Sequence, residues 1–166
     1  VSRSLERAEA LLVSITRGRR VAVVGVGNRL RGDDGAGSWL AERLRARCGA
    51  PVFDAETVPE NYLGPLLAAD PEVVLFVDAA RLDAPPGACR LVPAHALGGR
   101  CDSTHGMSLL LLSRALEAHG IECWLFGLQP ARTSAGEPVS PEVAAAARAL
   151  EDVLAACLPE PEAAHA

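Results

Sequence analysis

The sequence contains no lysine: arginine supplies all sixteen basic residues, against twenty-one acids, and the formal net charge is -5. We read the missing lysine as a compositional bias of the source genome. It still has a consequence, because a P-loop needs Gly-Lys-Ser/Thr and none can be written here. Also missing is the broad basic surface that nucleic acid requires, so no nucleic-acid partner is expected. No C-x-x-C pair occurs. The five cysteines, at 48, 89, 101, 123 and 157, are odd in number. That argues against a disulfide framework or a structural zinc knot and for reduced thiols. Long apolar runs are missing as well. "LLVSI" and "MSLLLL" are far too short to span a bilayer, and the arginine-containing N-terminus does not lead into a signal-like segment. The expectation is a soluble cytoplasmic protein without a membrane partner.

What is present is 166 residues, 49% of them hydrophobic, enough for one compact core. We expect a single domain over 1–166, with 1–20 as an N-terminal helical extension and 158–166 as a frayed tail. Leu5, Ala8, Leu11, Leu12 and Ile15 fall at helical spacing. Val21 to Val26 is a β-branched run of the kind buried on both faces of a sheet. Trp39, Leu40, Ala41 and Leu44 mark a helix, "PVFDAE" a strand and "PENYLGPLLAAD" a short helix. "EVVLFVDAA" is the clearest strand. A short strand follows at 89–93, then a helix stopped by Gly120, a strand in "IECWLFGLQP" and a last helix capped by Ser140. This alternation predicts an α/β three-layer sandwich: a twisted, largely parallel five-stranded sheet with helices on both faces.

The stretch "GVGNRLRGDDGAG" invites a dinucleotide reading, since Gly25 and Gly27 fit two positions of G-x-G-x-x-G. The third position falls on Leu30, so the close helix–strand approach that glycine permits there is missing. Asp33 and Asp34 would also repel a pyrophosphate. A cation suits the loop better. In open α/β folds, ligands bind at the carboxyl edge of the strands. Asp78 ends its strand there, His105 precedes a helix in the next loop, and Gln129 could line the same rim.

Asp34, Asp78 and His105 make an oxygen–oxygen–nitrogen set that leaves coordination positions open. Mixed carboxylate and imidazole donors suit nickel, zinc or cobalt. Each residue also has a plainer reading: Asp33 and Asp34 as caps of the following helix, Asp78 as a turn former, His105 as a solvated side chain. Cys101 and His105 offer a thiol–imidazole pair, but no activating framework surrounds them. Ser103 and Ser108 lack a G-x-S-x-G context. His95, His119 and His165 read as surface or loop residues, and Trp39 and Trp124 as core.

"GVGNRLRGDDGAG", "VDAA" and "THGM", in that order and spacing, resemble the maturation endopeptidases of [NiFe]-hydrogenases. "VPEN" (58–61) and "FGLQP" (126–130) look like the branch serving hydrogenase 3 and related group-4 enzymes. The resemblance runs from Val21 to Leu154. It implies an aspartic-type endopeptidase that removes the C-terminal extension of a hydrogenase large-subunit precursor once nickel is in place. It also implies that Asp34, Asp78 and His105 are the catalytic and metal-binding residues. The nickel would be that of the substrate, with no tightly held metal of the enzyme's own, and Asp33 is a possible base. Two other functions remain open at this point. One is a dinucleotide-binding reductase. The other is a non-catalytic protein that docks nickel or the large subunit.

Overall fold

The computed structural model describes residues 3–97 and 102–161. Eleven elements follow in chain order: α1 (Arg3–Thr16), β1 (Val21–Val26), α2 (Ala36–Leu44), β2 (Val52–Glu56), α3 (Leu63–Ala69), β3 (Val73–Arg81), β4 (Cys89–Pro93), β5 (Asp102–Ser103), α4 (Gly106–Glu117), β6 (Glu122–Leu128) and α5 (Pro141–Cys157). The main sheet runs β2-β1-β3-β6-β4. Its first four strands are mutually parallel, and β4 closes the edge antiparallel to β6. The expected five strands are all present. A sixth, the two-residue β5, pairs antiparallel with the end of β3.

Strand periodicity assigns the helices to two faces. Val23, Leu75, Val77 and Phe126 point to the layer of α1, α2 and α5, where they meet Leu12, Leu40 and Leu150. Their neighbours Val24, Val74, Phe76 and Leu125 point the other way, to Leu66 of α3 and Leu109, Leu112 and Leu116 of α4. Side chains that alternate in direction while both faces are covered explain the near-continuous apolar runs. α1 is no appendage, because Leu5, Ala8, Leu12 and Ile15 are buried in the first layer. The expected frayed tail is corrected at its start. Leu158 is buried, and the Pro159 carbonyl accepts a hydrogen bond from the Gly49 amide. Residues 162–166, and with them His165, lie outside the described residues.

The chain leaves β1 toward β2 on one side and returns as β3 on the other. The carboxyl ends of β1 and β3 therefore flank the crevice where α/β sheets bind ligands. The glycines here act differently from the sequence expectation. A Cβ on Gly37 would stand 2.0 Å from the Val77 carbonyl oxygen, and one on Gly25 would stand 2.1 Å from the Gly37 oxygen. Helix α2 thus does lie tightly on β1 and β3, through Gly25 and Gly37 and not through a glycine at position 30. Gly27 turns the chain out of the sheet at φ +143°, with the Asp34 backbone packed against it.

Candidate functional site

Each of three segments brings one side chain to this crevice. β1 leads through Gly27 into a turn of 3-10 helix, Gly32–Gly35, which carries Asp34. β3 carries Asp78 on the face of Phe76 and Ala80, opposite Gly127 of β6, and its side chain is fully buried. β5 folds back on Ala80 and Arg81, which sets Ser103, Thr104 and then His105 beside Asp78 just before α4 begins.

The hydroxyls of Ser103 and Thr104 tie the three together. Ser103 Oγ donates to Asp78 Oδ2 and accepts from the His105 amide at 2.9 Å. Thr104 Oγ1 donates to Asp34 Oδ1 at 2.8 Å and lies 3.2 Å from His105 Nδ1. That nitrogen is also 3.2 Å from Asp78 Oδ2. A proton on Nδ1 satisfies both neighbours and leaves Nε2 of the neutral ring with its lone pair. Asp34 Oδ2 accepts from the Asn28 amide at 3.2 Å. Asp78 Oδ1 is buried with no hydrogen-bond partner among the described residues. Burial raises the Asp78 carboxyl above its ordinary value, and the bond to Asp78 raises the His105 imidazole above its own. In contact, the two titrate as one unit. Among the described residues, no three His, Cys, Asp or Glu side chains are gathered as they would be around a bound metal ion. The donors bond instead to one another and to the two hydroxyls.

Asp33 has a different job from the one expected. It is fully buried, and its carboxylate accepts from the amides of Ala131 (2.8 Å), Arg132 (3.0 Å) and Ser140 (2.6 Å) and from Ser140 Oγ (2.9 Å). Three of those bonds fall on Oδ2 and one on Oδ1, so both oxygens are engaged by residues 131–140. Neither Asp33 nor Asp34 makes a side-chain cap on α2. Gln129 also departs from expectation. Its carbonyl accepts from the Leu82 amide and its amide donates to the Pro130 carbonyl, so it fixes neighbouring backbone. His95 and His119 are exposed, and Cys101 lies outside the described residues. Cys48, Cys89 and Cys123 are free and buried, and burial pushes the Cys123 thiol up to about 12. Trp39 and Trp124 are half-buried against the first core layer.

Sequence reasoning missed Arg29 and Thr104, and it set Ser103 aside as a nucleophile without seeing its bond to Asp78. Arg29 bonds Ser38 Oγ at 2.7 Å and Asp54 at 2.6 Å, which anchors the loop before Asp34 to α2 and β2. Adjacency of Ser103 and Thr104 to His105 was the one available signal for the hydroxyls.

Fold and site together define an α/β sandwich with two acids and an imidazole, linked through two hydroxyls, at the carboxyl edge of a largely parallel sheet. A sequence profile of the hydrogenase maturation protease (HycI) family matches residues 38–156, and the chain belongs to that family, which makes it a peptidase. The Hydrogenase 3 maturation protease of Escherichia coli K12 is 34% identical over 111 residues, 63% of this chain and 69% of that protein. The crystal structure of the [NiFe] hydrogenase maturation protease HycI from Thermococcus kodakarensis superposes with a TM-score of 0.81 at 31% identity, over 89% of this chain and 98% of the other. The maturating endopeptidase HybD of E. coli gives 0.67 at 28%, over 82% and 91%. Membership in a peptidase family displaces the dinucleotide reading. Among the described residues, no helix is long and apolar enough to cross a membrane.

Proposed function

We propose that this chain removes a C-terminal extension from the large-subunit precursor of a [NiFe]-hydrogenase after nickel insertion, and that Asp34, Asp78 and His105 recognise the nickel the substrate carries. The observation that carries the nickel reading is Asp78 Oδ1, a buried carboxylate oxygen without a partner among the described residues, beside the His105 imidazole. An unmatched buried acceptor costs roughly 1–3 kcal/mol, which a cation arriving with the substrate would relieve. Oxygen and imidazole donors suit nickel. The family and the relatives' names support the peptidase activity and its hydrogenase substrate.

In this reading the substrate's nickel is shared between its own cysteinates and the three side chains, which holds the precursor's tail at the crevice. Hydrolysis then adds water across the peptide bond: hydroxyl goes to the acyl carbon and the proton to the departing amine. Ser103 and Thr104 keep the acids and the imidazole in register. The carboxylate of Asp33 ties the motif loop to residues 131–140.

The test is direct. The purified chain is incubated with nickel-loaded and nickel-free precursor, and intact masses are read. We expect shortening of the loaded form alone, and its loss in His105→Ala with an unchanged melting temperature. Equal cutting of nickel-free precursor, or normal processing by His105→Ala, would defeat the nickel assignment. A precursor of unchanged mass that still co-elutes with the chain would favour the docking function instead.

A further inference from the structure

Thr104 stands where the motif loop meets the β3–β5 side of the site. Its hydroxyl donates to Asp34 Oδ1 at 2.8 Å and lies 3.2 Å from His105 Nδ1. Ser103, its neighbour, serves the other side alone, through Asp78 and the His105 amide. Among the described residues, two groups hold the Asp34 carboxylate. The Asn28 amide of its own loop reaches Oδ2 at 3.2 Å, and Thr104 reaches Oδ1 by the shorter bond. His105 depends on Thr104 less, because Asp78 Oδ2 faces the same Nδ1.

Thr104 is not placed to attack a peptide bond. A nucleophilic hydroxyl gives its proton to one ring nitrogen while an acid holds the other. Here Thr104 and Asp78 both face Nδ1. The hydroxyl also has only one proton. An ionised Asp34 can only accept, so that proton goes to Oδ1 and the hydroxyl oxygen accepts from the imidazole. The bonds then run in one direction, from His105 to Thr104 to Asp34.

We infer that Thr104 is a positioning residue whose hydroxyl aims the Asp34 carboxylate at the substrate's nickel, an assignment that rests on the nickel reading above. Thr104 acts through Asp34 and touches no reacting atom. Without the hydroxyl, Asp34 keeps its charge but loses its fixed direction, since a small cavity beside it leaves room to turn. A ligand aimed correctly for only a fraction of the time weakens binding by that fraction, while a precursor once bound is cut at the usual rate. Thr104 itself is exposed, so replacing it leaves the core untouched.

The experiment compares wild type, Thr104→Val, Thr104→Ala and Thr104→Ser on nickel-loaded precursor. Thr104→Val and Thr104→Ala should each raise KM about 10-fold or more, the factor a hydrogen bond to a charged group supplies, with kcat within about twofold of wild type. Thr104→Ser keeps the hydroxyl and should hold KM within about threefold of wild type. A second measurement needs neither nickel nor precursor. In the free chain, the Asn28 amide resonance reports the same carboxylate from its other oxygen. It should shift in Thr104→Val and Thr104→Ala, in a spectrum otherwise like that of wild type, and stay in place in Thr104→Ser. A wild-type chain that leaves the nickel-loaded precursor uncut overturns the function and the role of Thr104 together. Where the wild type cuts, the role of Thr104 alone is overturned by an unchanged KM in both hydroxyl-free variants. A fall in kcat at constant KM overturns it too, as does a Thr104→Ser as impaired as Thr104→Val. An Asn28 resonance unmoved in both hydroxyl-free variants has the same force.

Discussion

Asp78 is where stability and chemistry conflict most plainly. A fully buried carboxyl with an oxygen unmatched among the described residues is held at a cost, so Asp78→Asn should leave the denaturant midpoint unchanged or raise it. If Asp78 grips the substrate's nickel as proposed, the same variant should lower processing by about 100-fold or more, because an amide is a poorer ligand for a cation than a carboxylate. Its neighbour in the motif behaves oppositely. Asp33→Ala strips the acceptor from three amides and one hydroxyl, so a loss of about 3 kcal/mol or more is expected in urea unfolding. If Asp33→Ala instead unfolds like the wild type and fails only in cleavage, Asp33 is chemical after all. The sequence made the pair legible as acids at a sheet edge but could not divide their labour. That division depends on residues 131–140, which lie far along the chain and return to Asp33 only in the fold. Asp34, Asp78 and His105 were legible because each follows a recognisable strand or precedes a helix. The hydroxyls between them were not, because serine and threonine carry no positional signature.

At the scale of elements, the contact between α2 and the sheet depends on glycine. Gly37→Ala would drive a methyl into the Val77 carbonyl and should cost about 2–3 kcal/mol or more. Gly64, in α3, has a backbone without positive φ, and a methyl group added there would meet nothing within 4 Å. Gly64→Ala should therefore stabilise by about 0.5–1 kcal/mol through helix propensity alone. Urea midpoints of the two variants should move in opposite directions, and movement in the same direction would refute the packing account. The same glycines show the limit of motif reading. Position 30 was the place to look in a dinucleotide fingerprint, yet the close approach runs through Gly25 and Gly37. The long strands and helices were readable from periodicity. β5 was not, since two residues show no period, and it is β5 that carries His105 to Asp78.

The whole molecule is closed by a bridge between α2 and α5. Glu151 is buried and receives Arg43 Nε at 2.7 Å and Arg47 at 2.8 Å. Burial opposes its ionisation, but the two arginine bonds outweigh burial and hold the carboxyl below its ordinary value. A depressed folded value means that this stabilisation is complete above the unfolded glutamate range and is lost as pH falls through the folded value. Acid unfolding should thus show a limb below the usual glutamate range that Glu151→Gln flattens. An unchanged limb in Glu151→Gln would remove the bridge from the account.

The reach of Asp33 to Ser140 also orders events in time. Translation delivers the motif loop early and its anchor late, since 107 residues separate the two. Until Ser140 has left the ribosome, the loop has nothing to close on, and Asp34 hangs from an unfastened turn. The bonds that fix the motif loop can therefore form only after residues 131–140 have been made.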